Sequence, residues 1–270
     1  MESRRITRLA ALSVFCSIWL AAQPSPQLSR AEKEQFLKQA KIVKTSGAKM
    51  GITGTTRATL SDGQLQHDAS IQTIDEYKSS FQTVMGTELN FKDSFKFNVA
   101  AYKLDRLLGM NMIPVVVERS YQGKRGSYCW WVDDVLMVEQ ERLKKKVKPP
   151  DLNTWNKQVN IMRVFDELIY NTDRNMGNLV IDKQWRIWLI DHSRAFRIMT
   201  DLKDPKSMAM CDRGLLAKLK DLKAEDLTKE LGAYLNNMEI RGILARRDKI
   251  VQLFEKKGPS ALYDLPPRPE

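Results

Sequence analysis

The sequence predicts an α+β fold in two lobes, a small β-rich N-terminal lobe and a mainly helical C-terminal lobe. Three observations carry that expectation. Short strand patterns with a single amphipathic helix fill the first half, and helical periodicity dominates after Phe196. Between them a strong helical pattern at 154–170 leads into a short apolar hairpin, with residues 179–182 as one strand, Lys183-Gln184 as the turn and 185–190 as the return. The 270 residues, 29% charged and 43% hydrophobic, suffice for one large domain or two small lobes.

In chain order, residues 1–22 stand apart from the fold. Arg4, Arg5 and Arg8 precede a mainly apolar run, 9–22, that ends in Ala21-Ala22 before Gln23-Pro24. This is the pattern of a cleaved signal peptide, with an uncleaved N-terminal anchor as the alternative. The chain is therefore expected to be exported, secreted or periplasmic, or held at a membrane through this segment, with no later span. Residues 23–35, polar and holding Pro24 and Pro26, read as a flexible lead-in. The N-lobe is expected over 36–138. It opens with strands at 41–45, 57–60 and 65–74, the last two joined by the turn Ser61-Asp62-Gly63. The loop 46–56 contains Gly47, Gly51 and Gly54, and its amides are suited to cover phosphates, although such loops are as often plain turns. Asp93 or Ser94 is placed to cap a helix whose apolar face includes Val99, Ala100, Leu104, Leu107 and Leu108, and Gly109 stops it. Strands at 113–119 and 127–132 follow, then a connection between lobes at 133–137. The C-lobe is expected over 139–260, with a tail at 261–270.

The formal net charge is +11, and removal of 1–22 takes away only three Arg and one Glu. Such a charge favours anionic partners such as nucleotides or acidic surfaces. The aromatic residues show no stacking pattern between basic ones, which argues against nucleic acid. Cys129 and Cys211, free to pair in an exported chain, come with no CxxC motif, and with only His67 and His192 they argue against a zinc site.

The chemistry concentrates at the hairpin. Antiparallel strands bring their far ends together, and the midpoint between Asn178 and Asp191 falls within about a residue of the turn. Both side chains should then emerge at one end, with Asp173 in the loop just before. Two carboxylates and an amide oxygen at one point suit Mg²⁺ or Mn²⁺, with one carboxylate spare as a base, as phosphoryl transfer requires. His192 follows Asp191 and reads as structural, because the site already has a base.

The stretch Asp173-Arg174-Asn175-Met176-Gly177-Asn178, the stretch Ile190-Asp191-His192-Ser193-Arg194-Ala195-Phe196, and the helix at 98–108 followed by Ile113-Pro114 resemble the atypical kinases. Among these are the HipA-type toxin kinases, the phosphoinositide kinases and, most closely, the secretory-pathway casein kinases of the Golgi. The resemblance is specific over 160–197, fair over 95–118 and loose elsewhere. It implies a protein kinase-like fold and ATP-dependent phosphoryl transfer to a protein or other hydroxyl acceptor. Asp173 would be the base or orienting group, and Asn178 and Asp191 would hold the metal. Two positions depart from the pattern. Gln72 falls where the third strand of such kinases carries the phosphate-gripping Lys, and Asn98 where the helix carries its partner Glu. Lys44, Lys49 and Arg57, in or beside the Gly-rich loop, are the substitutes the sequence offers for the missing cation. The departure keeps two further readings open: a pseudokinase that binds nucleotide without transfer, and transfer of another part of ATP such as the adenylyl group.

Overall fold

A computed structural model describes residues 28–47, 55–83 and 86–268. The predicted signal or anchor at 1–22, the start of the lead-in, and Lys49, Gly51 and Gly54 of the Gly-rich loop lie outside these residues. Among the described residues no helix is long and apolar enough to cross a membrane.

The first element corrects the expected lead-in: α1 spans Arg30–Gln39. Ser29 and Glu32 form a reciprocal capping box, with the Ser29 N–H donating to Glu32 Oε2 at 2.7 Å. Phe36 and Leu37 are buried. The guanidinium of Arg119 donates to the carbonyls of Leu37 (3.1 Å) and Ala40 (2.7 Å), satisfying the C-terminal end of the helix.

Strands β1 (Lys41–Gly47), β2 (Thr56–Ser61) and β3 (Gln66–Gln72) follow. A hairpin, β4 (Asp75–Thr83) and β5 (Gly86–Ser94), then stands apart from the main sheet. It was not expected from the sequence, because Tyr77, Phe81, Leu89 and Phe91 are too sparse among polar residues to mark a strand pair. Its one aromatic clasp is Phe81 stacked on Phe91, with centroids 4.3 Å apart. Helix α2 (Phe95–Leu108) begins on the Ser94 hydroxyl, which accepts from Lys96 N, and ends at Gly109 in the left-handed region, φ 68°. Strands β6 (Val116–Tyr121) and β7 (Lys124–Trp130) complete an antiparallel five-stranded sheet of order β1-β2-β3-β7-β6.

The expected connection between lobes contains a further strand, β8 (Val135–Val138). It pairs not with the N-lobe but with the hairpin of β9 (Leu179–Asp182) and β10 (Ile187–Leu189), in a sheet of order β10-β9-β8. By pairing, residues 135–138 belong with the C-lobe. Helix α3 (Glu139–Lys145) and helix α4 (Leu152–Leu168), the latter capped by Asp151, lie between β8 and β9. Strand β11 (Cys211–Asp212) and helices α5 (Arg213–Asp221), α6 (Ala224–Leu231) and α7 (Asn237–Lys257) make up the rest of the C-lobe. The expected tail is docked as far as Arg268. Strand β12 (Leu262–Tyr263) pairs in parallel with β11, and Arg268 lies 4.2 Å from the Trp188 ring centroid while donating to Ile187 O at 2.6 Å. Cys129 and Cys211 are both free thiols.

One continuous apolar core runs through both lobes. It includes Leu60 and Ala69 of the sheet, Leu104 of α2, Phe165 of α4 and Phe254 of α7. A cavity of about 650 Å³, lined by residues including Met110, Trp155, Trp185, Lys218 and Leu265, touches the turn of the β9–β10 hairpin. Asn178 and Asp191 stand at the other end of that hairpin and do not line it.

Candidate active site

The register Ile187↔Ile181, Trp188↔Val180, Leu189↔Leu179 brings Asn178 opposite Ile190, and Ile190 N donates to Asn178 O at 3.1 Å. Asn178 and Asp191 therefore leave the hairpin one position apart. The turn is built around buried Asp182, whose Oδ1 accepts the N–H groups of Gln184 (3.0 Å) and Arg186 (2.9 Å).

The loop before the hairpin is shaped by its own side chains. Asn171 Nδ2 donates to Asp166 Oδ1 at 3.0 Å, and Asn171 Oδ1 accepts from Asp173 N at 2.9 Å. Asn178 Nδ2 reaches Asp173 O at 3.3 Å. Arg174 clamps the assembly. It pairs with Asp166 (Nε to Oδ2, 2.9 Å), donates to Ile190 O at 2.9 Å and Asn178 O at 3.3 Å, and meets His192 Nε2 at 2.8 Å. A guanidinium only donates, so His192 accepts at Nε2 and is neutral. Burial, reinforced by Arg174, pushes the His192 pKa well below its ordinary value, consistent with a structural role.

Asp191 has φ 55°, a strained conformation for a non-glycine residue, and its Oδ1 accepts from the Ser193 hydroxyl at 3.1 Å. The segment after it is tied on every side. His192 N donates to Asn98 Oδ1 (2.7 Å), Ser94 N to Ser193 O (2.9 Å), and Thr172 N to Arg194 O (3.2 Å). Asp173 is half-buried, and its pKa is raised by that burial and by Asp191, against the lowering pull of Arg194 and Arg174.

The two departures meet. Asn98 Nδ2 donates to Gln72 Oε1 at 2.5 Å, and Gln72 Nε2 donates to Thr55 Oγ1 at 3.0 Å. Both residues are buried, so neither is a plain surface residue. A neutral amide pair joins β3 to α2, and α2 to the residue after Asp191, without burying a charge. Gly126 backs this contact: a Cβ there would lie 2.6 Å from Gln72 O. Gly126→Ala is expected to cost about 1–3 kcal/mol, because it must push β3 aside. Thermal melting tests this, and an unchanged midpoint would refute it.

Of the other sequence candidates, Lys44, Gly47 and Arg57 lie among the described residues. Lys44 is exposed on the edge strand β1. Arg57 is held by Asp68 (Nε to Oδ2, 2.8 Å) and stacks on Trp131 at 4.2 Å. Gly47 ends β1. Several residues at the site were missed or undervalued in the sequence. Arg197 is only 4% exposed and is not a surface residue. Arg197 and Arg194 both grip Glu88 of β5 (2.8 and 2.9 Å), which fastens the β4–β5 hairpin beside Asp173. Asp93, read only as a possible cap, is 5% exposed. Ser94 takes the cap, and nothing in local pattern marks an acid before a helix as buried.

Among the described residues no group of three His, Cys, Asp or Glu side chains is arranged to hold a metal. Two oxygen donors completed by phosphate oxygens are the usual means of holding Mg²⁺, and the oxygen-only set of Asn178 and Asp191 fits that chemistry.

No family model and no curated protein matches the chain. Solved structures do. The chain is similar to hydra Fam20 with sugar, at TM-score 0.66 and 14% identity, covering 87% of this chain and 92% of that one. It is also similar to the Golgi casein kinase with Mn/ADP bound, at TM-score 0.62 and 14% identity, covering 88% and 80%. A further structure of the Golgi casein kinase gives TM-score 0.59 at 14% identity, covering 88% and 78%. What is shared at that identity is the fold: this chain has a two-lobed, atypical kinase-like fold.

Proposed function

We propose that the protein is an atypical kinase that transfers the γ-phosphoryl group of ATP to a hydroxyl on a protein or other acceptor. The observation that carries this reading is the meeting of Asp173, Asn178 and Asp191 at one end of a hairpin clamped by Arg174, inside a kinase-like fold. Asp173 orients the acceptor hydroxyl and takes its proton. Asn178 and Asp191 hold Mg²⁺ or Mn²⁺, which when bound neutralises charge on the phosphates. The likeness to a Golgi casein kinase with Mn/ADP bound supports nucleotide and metal as the cofactors. The N-terminal pattern supports export or anchoring.

The neutral Gln72–Asn98 pair favours a second reading, a pseudokinase that binds nucleotide without transfer. Incubation of the purified protein with γ-labelled ATP and Mn²⁺ or Mg²⁺, beside Asp173→Asn and Asp191→Asn, separates the two. Label on the protein or on an added acceptor, lost in both variants, supports the kinase. No label, with ATP still raising the melting temperature, selects the pseudokinase. Neither label nor thermal shift removes both readings, and α-labelled product would point to adenylyl transfer instead.

A further inference from the structure

The cavity of about 650 Å³ lies where five segments meet: the end of α2 with the loop after it, the first half of α4, the turn of the β9–β10 hairpin, α5, and the docked tail at 265–268. Its walls are mainly apolar. Met110, Leu215 and the indoles of Trp155 and Trp185 contribute, the two rings standing edge to face at 6.0 Å. Two Pro-Pro pairs, at 149–150 and 266–267, add apolar rings and bring no N–H donors. Water held there faces hydrocarbon on most sides, which favours an apolar occupant. The volume falls in the range of small-molecule sites.

The polar groups on the wall decide what else that occupant carries. Asp151 is spent on the N–H groups of Asn153 (2.9 Å) and Thr154 (3.2 Å), and Asp212 on those of Leu215 and Leu265 (both 2.9 Å). The Gln158 amide accepts from Ile187 N and donates to Trp185 O, and Arg186 is paired with Asp182. Two cations are left over. Lys218, exposed on α5, meets no carboxylate among the described residues. Arg268 gives Nη1 to Ile187 O, while its Nε and Nη2 are buried with no hydrogen-bond partner among the described residues. Of the acids whose charge it feels, Asp182 is held by Arg186 and Asp105 accepts from Met112 N, and neither pairs with it. Burial, with Arg186 alongside, lowers the Arg268 pKa to about 10, so the guanidinium keeps its charge at neutral pH. A buried cation without a counter-ion is costly, and an anionic ligand group would relieve it.

We propose that this cavity binds an apolar monocarboxylate of the fatty-acid class, with its hydrocarbon body against the two tryptophans and its carboxylate drawn to Lys218 and Arg268. The site is separate from Asp173, Asn178 and Asp191 and does not depend on the phosphoryl-transfer reading. Because the tail supplies Leu265 and Arg268, the ligand would also fasten the tail to the C-lobe.

The test is a calorimetric titration of the full chain with decanoate and with 1-decanol, which has the same chain length and no charge. Each protein is also melted with and without decanoate. Wild type is expected to bind one decanoate per chain, more tightly than 1-decanol, and to melt higher with it. Lys218→Glu and Arg268→Met are each expected to weaken decanoate about tenfold or more, as loss of a hydrogen bond to a charged group should. Lys218 is exposed, so its replacement should leave the ligand-free melting point unchanged, and 1-decanol should bind Lys218→Glu as it binds wild type. Absence of decanoate binding to wild type would overturn the proposal. Equal affinity for the acid and the alcohol would overturn it too, by marking a hollow that ignores charge. So would undiminished decanoate affinity in Lys218→Glu or in Arg268→Met.

Discussion

Asp173→Asn is expected to lower phosphoryl transfer by about a thousandfold, within the range a positioned general base contributes. The fold should survive the change. Among the described residues the hydrogen bonds of Asp173 run through its backbone, whose N–H donates to Asn171 Oδ1 and whose carbonyl accepts from Asn178 Nδ2. The carboxylate is therefore available for chemistry. Its raised pKa sets the pH dependence. A base works deprotonated, so activity should fall as pH drops through a value above the ordinary aspartate range near about 3.9. The residual activity of Asp173→Asn should lack that acid limb. A pH profile of kcat/KM for both proteins checks this, and an identical limb in the variant would assign the limb to another group. Loss of melting temperature matching the loss of activity would reduce Asp173 to a structural residue.

Arg246→Met is expected to cost about 3–5 kcal/mol of stability, the range for breaking a buried charged network. Arg246 on α7 is 0% exposed. It donates to Leu168 O at 2.8 Å, to Arg197 O at 3.0 Å and to Met199 O. Burial lowers its pKa to about 10, so it remains charged at neutral pH. Methionine fills much of the space but leaves three carbonyls without donors, each worth about 1–3 kcal/mol when buried. Those carbonyls end α4 just before the loop that holds Asp173 and lie beyond Asp191, so on the kinase reading activity should fall with stability. Lysine should not rescue, since a single ammonium cannot reproduce the planar fork. Urea unfolding measures the cost, and a loss under about 1 kcal/mol would refute the account.

The β9–β10 hairpin, α2 and α4 were legible because their signals are local. Ser94 and Gly109 bound α2 as cap and stop, and apolar spacing marked both helices. Asp173, Asn178 and Asp191 could be brought together from strand arithmetic alone. The β4–β5 hairpin was not legible, since its four large apolar residues are too sparse to make a period. Its attachment through Glu88 to Arg194 and Arg197 is a long-range ion pair. The docked tail depends on Arg268 finding Trp188, also far away in sequence. The start of α1 carried a readable Ser29–Glu32 box, outweighed by Pro24, Pro26 and the polar composition around it. Asp93 was missed because its burial comes from the segment after Asp191, about a hundred residues further along the chain.

The pairing of β8 with β9 bears on how the molecule can open. Trp131 N is bonded to Asp68 O on the N-lobe side, and Lys183 N to Asp134 O on the hairpin side. Between these anchors lie Val132 and Asp133, and Asp133 itself holds His67 at 2.7 Å and Trp130 Nε1 at 3.0 Å. The strap between the two halves is thus riveted at both ends, leaving almost no slack for a wide jaw-like swing. Any rotation of one half on the other then pulls, through β8, on β9, the strand that leads back to Asn178.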